Sequence, residues 1–568
     1  MGEITAGELL LKCLKQEGVS TLFGVLDGSY NPFLEKLDKY GMRFINARHE
    51  AAAAHMAEGW ARVRGEPAVV FGGIGPGATN LISGVITAGA EGSPLIVFSG
   101  QRRRSLIYPA RAGSFQNLDL LSLYRPATLW SAGARDWKRL PELVRRAYQE
   151  ATAGRPGPVY LELPEDLLKS KGEEDSVAVW PACRGPGGSS AAGDPALIEA
   201  AAELLAGSRR PLLHAGTGVS WSGAWDEFVA LGDHLSAALT CSLGGRGVIP
   251  EDHPRFLHPL NREALTAARS EADVVLTVGG RMGELDGWGK PPTWGPLESQ
   301  KVIQVDIDPT SIGANRPVQF GIVGDAKAVL AALLKAVRLR TSARPEHSGF
   351  SAYRSLTATW KQELEDSLSV GSGSINPGQM IRIVRDFYPR DAILAMDGGN
   401  TSLWTASHFP VLSPRGCLFA AKTGHLGTGL PYAIGASLAA PERPVCLISG
   451  DGAIGFNIQE LETAARHNVP IVVVVSCDQG WGMERTSQLF AGIETPVECD
   501  IHPGARYDLV AEALGCHGEL VENLDQLRPA LERSTASGKP ALIQVMVDHL
   551  ANMAPPGIMV FGQLRAVD

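Results

Sequence analysis

The segment that most constrains the fold is residues 450–482, together with the apolar run that precedes it. The order predicts a strand (445–449), a Gly450-Asp451-Gly452 turn, a helix, and a second strand (471–475) that leads into Asp478. Two short buried strands joined through a helix are typical of a parallel sheet. Parallel sheets bind ligands at the carboxyl ends of their strands, so Asp451 and Asp478 are predicted to lie at a binding edge.

The residue types in this turn favour one kind of ligand. Carboxylate oxygens and glycine carbonyls are suitable ligands for Mg²⁺, and glycines let backbone N–H groups approach a phosphate. A lone Gly-Asp-Gly is also a common turn with no ligand. The helix and the second strand with its own aspartate favour a metal-bound diphosphate over that simpler interpretation.

Length and composition exclude several classes of protein. The chain has 568 residues, enough for several domains, with 44% apolar and 20% charged residues. A net charge of −9 without a basic block argues against nucleic acid as a partner. No apolar run reaches the roughly 20 residues that a membrane crossing needs, and the start of the chain lacks a signal-peptide pattern. The eight cysteines are scattered without a Cys-x-x-Cys pair, so we expect a cytoplasmic protein without disulfides or zinc.

Two polar, Gly/Ser/Pro-rich segments, about 169–194 and 341–376, divide the chain into thirds. They predict domains at 1–170, 190–342 and 373–568. Each third alternates apolar runs with amphipathic stretches, and examples of such runs are 68–71, 95–99, 274–278, 302–305 and 393–396. The fold class predicted is α/β, with three doubly wound, mostly parallel-sheet domains.

In the first third, Glu50 falls between a predicted strand (43–46) and an alanine-rich helix. An isolated glutamate there is explained by the helix dipole. The surrounding Arg-His-Glu-Ala, however, resembles the catalytic-glutamate segment of thiamine diphosphate (ThDP)-dependent enzymes. The turn Gly75-Pro76-Gly77 with Asn80, and the pair Phe115-Gln116, resemble the next motifs of that family in the same order.

The resemblance covers essentially the whole chain, through the segments 302–309, 323–326, 424–431 and 450–482. These segments resemble the acetolactate synthase, benzaldehyde lyase and oxalyl-CoA decarboxylase group. The resemblance implies that the three domains are pyrimidine-binding, central and diphosphate-binding. It also implies at least a homodimer, commonly a homotetramer, with active sites shared between subunits.

The resemblance assigns the metal ligands Asp451, Asp478 and the carbonyl of Gly480. The family usually has Asn-Asn where this chain has Cys477-Asp478, so one additional negative charge lies near the diphosphate. The remaining cofactor-binding candidates flank these positions or lie in other family motifs: Asn400, Gly424, Leu426, Gly450, Gly452, Ala453, Trp481 and Gly482.

The catalytic candidates come from the same resemblance. Glu50 is expected to hydrogen-bond the aminopyrimidine N1′, and burial among alanines is expected to raise its pKa. Leu426 takes the place of the residue that bends the cofactor into a V shape. Gln116 and Ser29 are expected near the substrate, and His425 serves either proton transfer or structure.

We therefore expect a ThDP- and Mg²⁺-dependent C–C bond lyase or carboligase, acting on 2-keto acids or 2-hydroxy ketones. Leu129 stands where we align a lysine of acetolactate synthases, which argues against a standard member of that class. Two alternatives stay open, a non-catalytic scaffold and a lyase or decarboxylase of acyl-CoA thioesters. The second would need a basic CoA pocket, for which Arg485 and Arg565 are the candidates. Binding of FAD or ADP near Gly216-Thr217-Gly218 and Gly279-Gly280-Arg281 also stays open.

Overall fold

A computed structural model describes residues 2–182, 191–370, 374–553 and 555–556. By their contacts, these residues form two units. The first unit comprises the described residues within Met1–Gly188, Ala420–Glu442 and Asn457–Pro470, and the second comprises the rest. The domain bounds 1–170, 190–342 and 373–568 stay a prediction. Residues 1, 190, 373, 554 and 557–568, which they include, lie outside the described residues.

The first unit contains a parallel sheet in the order β3-β2-β4-β5-β7-β6, and β1 pairs antiparallel with β8. Its strands are β1 (Glu3–Thr5), β2 (Thr21–Gly24), β3 (Arg43–Asn46), β4 (Ala68–Gly72), β5 (Leu95–Gln101), β6 (Trp130–Gly133), β7 (Val159–Pro164) and β8 (Lys171–Glu173). The central strands β4 and β5 are buried along their whole length, as expected for a parallel sheet covered on both faces.

The helices of the first unit include one closely packed pair, Glu50–Arg64 and Gly429–Ala439. A Cβ at Gly59 would lie 2.7 Å from the Tyr432 carbonyl oxygen, and one at Gly435 would clash with the Met56 carbonyl. The absence of side chains at both glycines therefore sets how closely the two helices approach.

The first unit also contains these α-helices: Ala6–Gln16, Asn31–Leu34, Pro76–Asn80, Ile82–Glu91, Arg104–Ile107, Leu120–Tyr124, Leu140–Thr152, Glu165–Leu168 and Glu460–Arg466. Short 3₁₀ helices occur at Gly28–Tyr30, Asp38–Tyr40, Arg125–Ala127, Trp137–Arg139 and Glu174–Ser176. Leucines on Ala6–Gln16 and Leu140–Thr152 pack into one hydrophobic core with side chains of β4, β5 and β7.

The second unit contains two parallel sheets, in the orders β10-β9-β11-β12-β13 and β15-β14-β16-β17-β19-β18. The strands of the first of these sheets are β9 (Pro211–Ala215), β10 (Ala238–Cys241), β11 (Val274–Val278), β12 (Lys301–Asp306) and β13 (Phe320–Val323). The strands of the other are β14 (Ile393–Asp397), β15 (Cys417–Leu418), β16 (Val445–Gly450), β17 (Ile471–Cys477), β18 (His517–Val521) and β19 (Ala541–Met546).

Alternating side chains show that helices cover both faces of the sheet β9–β13. Leu213 and Leu276 pack with the helices Pro195–Gly207 and Ala326–Arg340. Their neighbours Leu212 and Val275 instead enter a separate core that includes Phe350. Successive side chains of each strand thus point to opposite faces of the sheet and pack into two separate hydrophobic cores.

The α-helices of the second unit are Pro195–Gly207, Thr217–Ser222, Trp225–Leu235, Arg262–Glu271, Ala326–Arg340, Gly349–Ser367, Pro377–Phe387, Asn400–His408, Asp451–Ile454, Gly482–Phe490, Tyr507–Ala513 and Leu527–Ala536. Its 3₁₀ helices are Leu243–Gly245, Glu284–Gly289, Pro309–Ser311 and Leu524–Gln526.

The α/β class predicted from the sequence is confirmed, since the sheets are mostly parallel and flanked by helices. The strands expected at 445–449 and 471–475 are β16 and β17, which pair in parallel and each extend slightly further. Within the described residues, no helix combines the length and hydrophobicity that a membrane crossing requires.

Candidate active site

Glu50 is the first residue of the helix Glu50–Arg64, just beyond the carboxyl end of β3. Its Oε2 accepts a hydrogen bond from Asn80 Nδ2 at 3.0 Å. A Cβ at Gly77 would lie 3.3 Å from Glu50 Oε1, so the Gly75-Pro76-Gly77 turn lies directly against the carboxylate. The Glu50 side chain is half-buried, which leaves it able to reach a ligand at this edge of the sheet.

Gln116 is held by the same turn. A Cβ at Gly75 would lie 3.0 Å from Gln116 Cβ, and Gly75 itself has a φ of 65°. Gln116 also has a left-handed backbone, with a φ of 56°, which is uncommon for a residue other than glycine. Because its Cβ lies close to Gly75, the Gln116 side chain begins next to the turn that contacts Glu50.

Ser29 lies at the carboxyl edge of the same sheet and is buried. Its Oγ donates a hydrogen bond to Asp27 Oδ1 at 2.6 Å, and a Cβ at Gly100 would lie 2.5 Å from that Oγ. A Cβ at Gly73 would lie 2.7 Å from the second carboxylate oxygen of Asp27. The Ser29 hydroxyl proton is therefore already engaged by Asp27.

The segment that leads into the helix Gly429–Ala439 carries Gly424, His425 and Leu426 in the first unit. The Nδ1 of His425 lies 2.8 Å from Thr87 Oγ1, and its ring packs edge-on against His55 at 4.9 Å. Burial lowers the pKa of His425, so its neutral form is favoured. Gly424 is exposed with a φ of 59°, whereas Leu426 is half-buried.

In the second unit, Asp451 follows β16 and begins the short helix Asp451–Ile454, which also contains Gly452 and Ala453. Its Oδ1 accepts the Gly452 N–H at 2.9 Å, and its Oδ2 accepts a weak hydrogen bond from Cys477 Sγ at 3.4 Å. Burial, and then the nearby Asp478 carboxyl, raise the pKa of Asp451 to about 7.

Asp478 follows β17, the strand adjacent to β16. It is buried, and its Oδ2 has no hydrogen-bond partner among the described residues. Burial raises the pKa of Asp478 as well. Two buried carboxyl groups this close to each other, one with an unpaired oxygen, fit a divalent cation.

No cluster of three or more His, Cys, Asp or Glu side chains suited to a metal ion occurs in the described ranges. A cation bound by Asp451 and Asp478 would therefore need backbone oxygens as additional ligands. The Gly480 carbonyl is the backbone ligand predicted from the sequence. The short stretch around Gly480 is shaped by an antiparallel bridge to Asp500 and by a φ of 59° at Gln479.

The remaining candidates of the second unit lie close to Asp478. A Cβ at Gly482 would lie 2.6 Å from Asp478 Oδ2 and 3.4 Å from Asn400 Nδ2. Asn400 Nδ2 donates to the Asn552 carbonyl at 2.8 Å. On the other side, a Cβ at Gly452 would lie 3.0 Å from the Trp481 ring, while Gly450 closes β16.

Two further residues at this site, Asn552 and Arg485, were not among the site residues predicted from the sequence. The Asn552 side chain also reaches Asp478, and the residue lies just after β19, the other neighbour of β17. That position beyond a third strand end was the signal available in the sequence. Arg485 lies 3.7 Å from Asp478 through its Nη1.

The glycine-rich turns that left FAD or ADP binding open are engaged with each other. The N–H of Gly216 donates to the Val278 carbonyl at 2.8 Å, and that of Gly218 donates to the Gly279 carbonyl at 3.0 Å. The N–H of Gly279 donates to the Val305 carbonyl at 2.8 Å. These three backbone N–H groups therefore already donate to carbonyls of the same unit.

Comparison with known families matches three domain models in succession. Residues 4–123 match the N-terminal TPP-binding domain of thiamine pyrophosphate enzymes, 198–333 match their central domain, and 397–545 match their C-terminal TPP-binding domain. Together these matches span most of the chain. The chain belongs to the thiamine pyrophosphate enzyme family.

Curated relatives of this enzyme match it over nearly its full length. A probable acetolactate synthase large subunit of Methanocaldococcus jannaschii is 33% identical over 97% of this chain and 93% of that protein. The acetolactate synthase isozyme 2 large subunit of Escherichia coli is 30% identical over 98% of both chains. A sulfoacetaldehyde acetyltransferase of Alcaligenes xylosoxydans is 28% identical over 96% of this chain and 93% of that protein.

These matches confirm the predicted family and the use of thiamine diphosphate. The chain is a ThDP-dependent enzyme with carboligase chemistry of the transferase or lyase type. The structure gathers Glu50, Gln116 and Ser29 at the carboxyl edge of the first unit's sheet. It gathers Asn400, Asp451, Asp478 and Gly482 at the corresponding edge in the second unit.

Proposed function

We propose that the chain is a Mg²⁺- and ThDP-dependent C–C bond lyase or carboligase that acts on 2-keto acids or 2-hydroxy ketones. The observation that carries the proposal is the buried pair Asp451 and Asp478 at the ends of adjacent parallel strands. Burial, and then the nearby Asp478 carboxyl, raise the pKa of Asp451, so a cation beside the pair would favour the ionised form of both carboxyls.

In this proposal Asp451, Asp478 and the Gly480 carbonyl hold Mg²⁺. Bound ThDP would supply a nucleophilic carbon suited to substrate carbonyls. Gly452 and Ala453, on the short helix Asp451–Ile454, are proposed to border the diphosphate. Gly450, Trp481, Gly482 and Asn400 complete the diphosphate pocket.

Glu50 is proposed to hold a proton at Oε1 and share it with the aminopyrimidine N1′. Its Oε2 is fixed by Asn80, so the hydrogen bond to Asn80 orients the carboxyl group for that exchange. Gly424 and Leu426 are proposed to border the pyrimidine ring. Gln116 is proposed to donate a hydrogen bond to a substrate oxygen.

Ser29 and His425 have weaker grounds for a direct catalytic role. The Ser29 hydroxyl is engaged by Asp27, and His425 is engaged by Thr87. We propose that Ser29 shapes the substrate pocket together with Asp27. For His425 we favour the structural alternative, because its contacts with Thr87 and His55 already account for its position.

The names of the relatives support 2-keto acid and acetyl-transfer chemistry for the substrates. Leu129, aligned with a lysine of acetolactate synthases, supports a donor or acceptor other than theirs. Arg485 does not support a CoA pocket, because its side chain forms ion pairs with Asp478 and Asp500. Arg565, its other basic candidate, lies outside the described residues.

The proposal includes a homodimer, and on further association a homotetramer, in which Glu50 of one subunit and Asp451 of another serve one active site. The relatives named as large subunits make a second, smaller subunit worth testing by co-purification. Cytoplasmic location is proposed because the described cysteines are all free thiols. The proposal does not extend to FAD or ADP.

The test is to incubate the enzyme with ThDP and Mg²⁺ and a panel of 2-keto acids, 2-hydroxy ketones and acyl-CoAs. Mass spectrometry and CO₂ release then identify which substrates are consumed and which products form. We expect turnover of at least one 2-keto acid or 2-hydroxy ketone, lost on chelation of Mg²⁺ and restored by its return. Turnover of acyl-CoAs alone, or turnover unaffected by chelation, would contradict the proposal.

A further inference from the structure

Asp478 introduces a charge that the usual motif does not carry. The family motif it resembles has asparagine at this position, and this chain has a buried aspartate. Its Oδ2 lacks a hydrogen-bond partner among the described residues. A buried carboxylate is costly unless an opposite charge lies near it, and a diphosphate nearby increases that cost.

Arg485 provides an opposite charge at short range. It lies on the helix Gly482–Phe490, which begins four residues after Asp478. Its Nη1 is buried, has no hydrogen-bond partner among the described residues, and lies 3.7 Å from Asp478 Oδ2. The two unpaired atoms therefore face each other as an ion pair rather than as a hydrogen bond.

Two other contacts fix the Arg485 guanidinium in this position. Its Nη2 donates to Asp500 Oδ1 at 3.0 Å, and a Cβ at Gly480 would clash with the same nitrogen. Gly480 thus leaves the room that the guanidinium occupies. The Arg485 side chain is 18% exposed, whereas Asp500 is 91% exposed, so the charge interaction with Asp478 is the less screened of the two.

Asp478 also lies beside the Asp451 carboxyl, and its other side-chain neighbours are neutral amides. Asn400 and Asn552 place their Nδ2 atoms 3.4 and 3.6 Å from where a Cβ of Gly482 would lie. Amide groups donate hydrogen bonds but do not cancel a charge. In the described part of the chain, Arg485 is the residue whose cation forms an ion pair with Asp478.

We propose that Arg485 is a positioning residue that compensates the charge of Asp478 and thereby allows a two-carboxylate site to bind Mg²⁺ and ThDP. The inference rests on the proposed function. With the Arg485 guanidinium 3.7 Å from Asp478, the additional carboxyl of this chain adds no net negative charge to the region that the diphosphate would occupy. Arg485 therefore acts through Asp478 and has no direct part in the reaction.

The experiment is a double-mutant cycle with Arg485→Gln, Asp478→Asn and the double variant in the full-length protein stripped of cofactor. The dissociation constant for ThDP at saturating Mg²⁺ is measured by isothermal titration calorimetry. Arg485→Gln is expected to weaken binding on the order of tenfold or more, because it leaves a buried carboxylate unpaired. The double variant is expected to bind within about threefold of Asp478→Asn, because the charge that needed a partner is gone.

Arg533→Gln is the matched control, since Arg533 is an exposed arginine in an ion pair with Glu519. It is expected to leave ThDP binding unchanged. Unchanged ThDP binding by Arg485→Gln would overturn the inference and leave the proposed function standing. The same holds if the double variant binds ThDP as weakly as Arg485→Gln. If the unaltered chain did not bind ThDP with Mg²⁺, the proposed function would fall and the inference with it.

A second measurement addresses the charge pair without cofactor. The thermal-unfolding midpoints of the same proteins in the absence of ThDP and Mg²⁺ should show a loss for Arg485→Gln that Asp478→Asn relieves. The loss should change little with salt, because both side chains are largely buried. Losses that simply add in the double variant would contradict the pairing of Arg485 with Asp478.

Discussion

At the scale of single residues, Glu50 combines a fixed orientation with access to a ligand. Asn80 binds one oxygen of its carboxyl group and Gly77 lies against the other. Glutamine retains the shape and can still accept the Asn80 hydrogen bond, but it cannot exchange a proton. The chemistry at this position is therefore separable from its structural contribution.

We expect Glu50→Gln to reduce turnover by about 10²- to 10⁴-fold, the usual contribution of a positioned acid–base group. The thermal-unfolding midpoint should stay close to that of the unaltered enzyme. Glu66→Gln, at an exposed glutamate beyond the same helix, serves as the control and should leave both quantities unchanged. The measurement is steady-state turnover with the best substrate of the panel. Retained activity in Glu50→Gln would refute the proposed proton exchange by Glu50.

At the scale of elements, the crossing of the helices Glu50–Arg64 and Gly429–Ala439 depends on backbone contact at Gly435 and Gly59. Gly435→Ala would drive a methyl group into the Met56 carbonyl, which belongs to the backbone and cannot rotate away as a flexible side chain would. We expect a loss of about 1–3 kcal/mol in stability, as in other overpacked cores.

Gly207→Ala is the matched control for this change. Gly207 ends the helix Pro195–Gly207 and has no heavy atom within 4 Å of an added Cβ, so alanine should be neutral or slightly stabilising. Thermal unfolding of the two variants measures the contrast. Equal midpoints for Gly435→Ala and Gly207→Ala would show that the helix crossing tolerates a methyl group.

The same helix pair encloses a buried acid, Glu58. It accepts hydrogen bonds from Tyr432 Oη at 2.8 Å and from Ser93 Oγ at 3.1 Å. Burial, partly offset by Arg62, raises the pKa of Glu58 from 4.5 to about 7. Between these values the folded chain binds more protons than the unfolded chain does, so stability falls as the pH rises.

Glu58→Gln should remove this dependence, because glutamine does not titrate. Relative to the unaltered enzyme, the variant should gain stability as the pH rises from 5 to 7, by at most about 1.4 kcal/mol per pH unit. Unfolding midpoints across this pH range provide the measurement, with Glu66→Gln as an exposed control. Curves for Glu58→Gln that run parallel to those of the unaltered enzyme would argue against a raised pKa.

At the scale of the whole chain, a buried ion pair joins distant segments of the second unit. Arg246 donates to both Glu251 oxygens, at 2.6 and 2.8 Å, and to the Phe409 carbonyl at 2.9 Å. Glu251 in turn accepts the Val411 N–H at 2.9 Å. The segment after β10 is thus tied to the segment that follows the helix Asn400–His408.

Arg246→Met should destabilise the enzyme by about 3–5 kcal/mol, because it leaves the Glu251 carboxylate buried without its cation. The exposed pair Arg390 and Asp252 offers a control, and Arg390→Gln should cost no more than about 1 kcal/mol. Urea unfolding compares the two variants. A loss in Arg246→Met no larger than in Arg390→Gln would mean that the buried pair adds no net stability.

Much of the site was predictable because its determinants are local. The apolar runs before Asp451 and Asp478 identify two strands, and the glycines between them identify the turn. Glu50 was predicted differently, from the resemblance of its segment to the catalytic-glutamate segment of ThDP-dependent enzymes, because a strand followed by a small-residue helix is equally explained by the helix dipole. Side-chain periodicity and strand order act over a few residues, so the amino-acid sequence alone determined the α/β class and the ends of the strands that carry these residues.

The partner of each buried charge depends on how the chain packs in three dimensions. Asp478 meets Arg485 and Asn552, Glu58 meets Tyr432, and Arg246 meets the backbone of Phe409. Asn552, Tyr432 and Phe409 come from distant chain segments that folding alone brings together. Arg485 is close to Asp478 in the sequence, but their ion pair depends on how the helix Gly482–Phe490 follows β17. Because a buried charge is tolerated only beside its partner, the packing of distant segments, and not the motif, determines how the carboxylates of this enzyme are held.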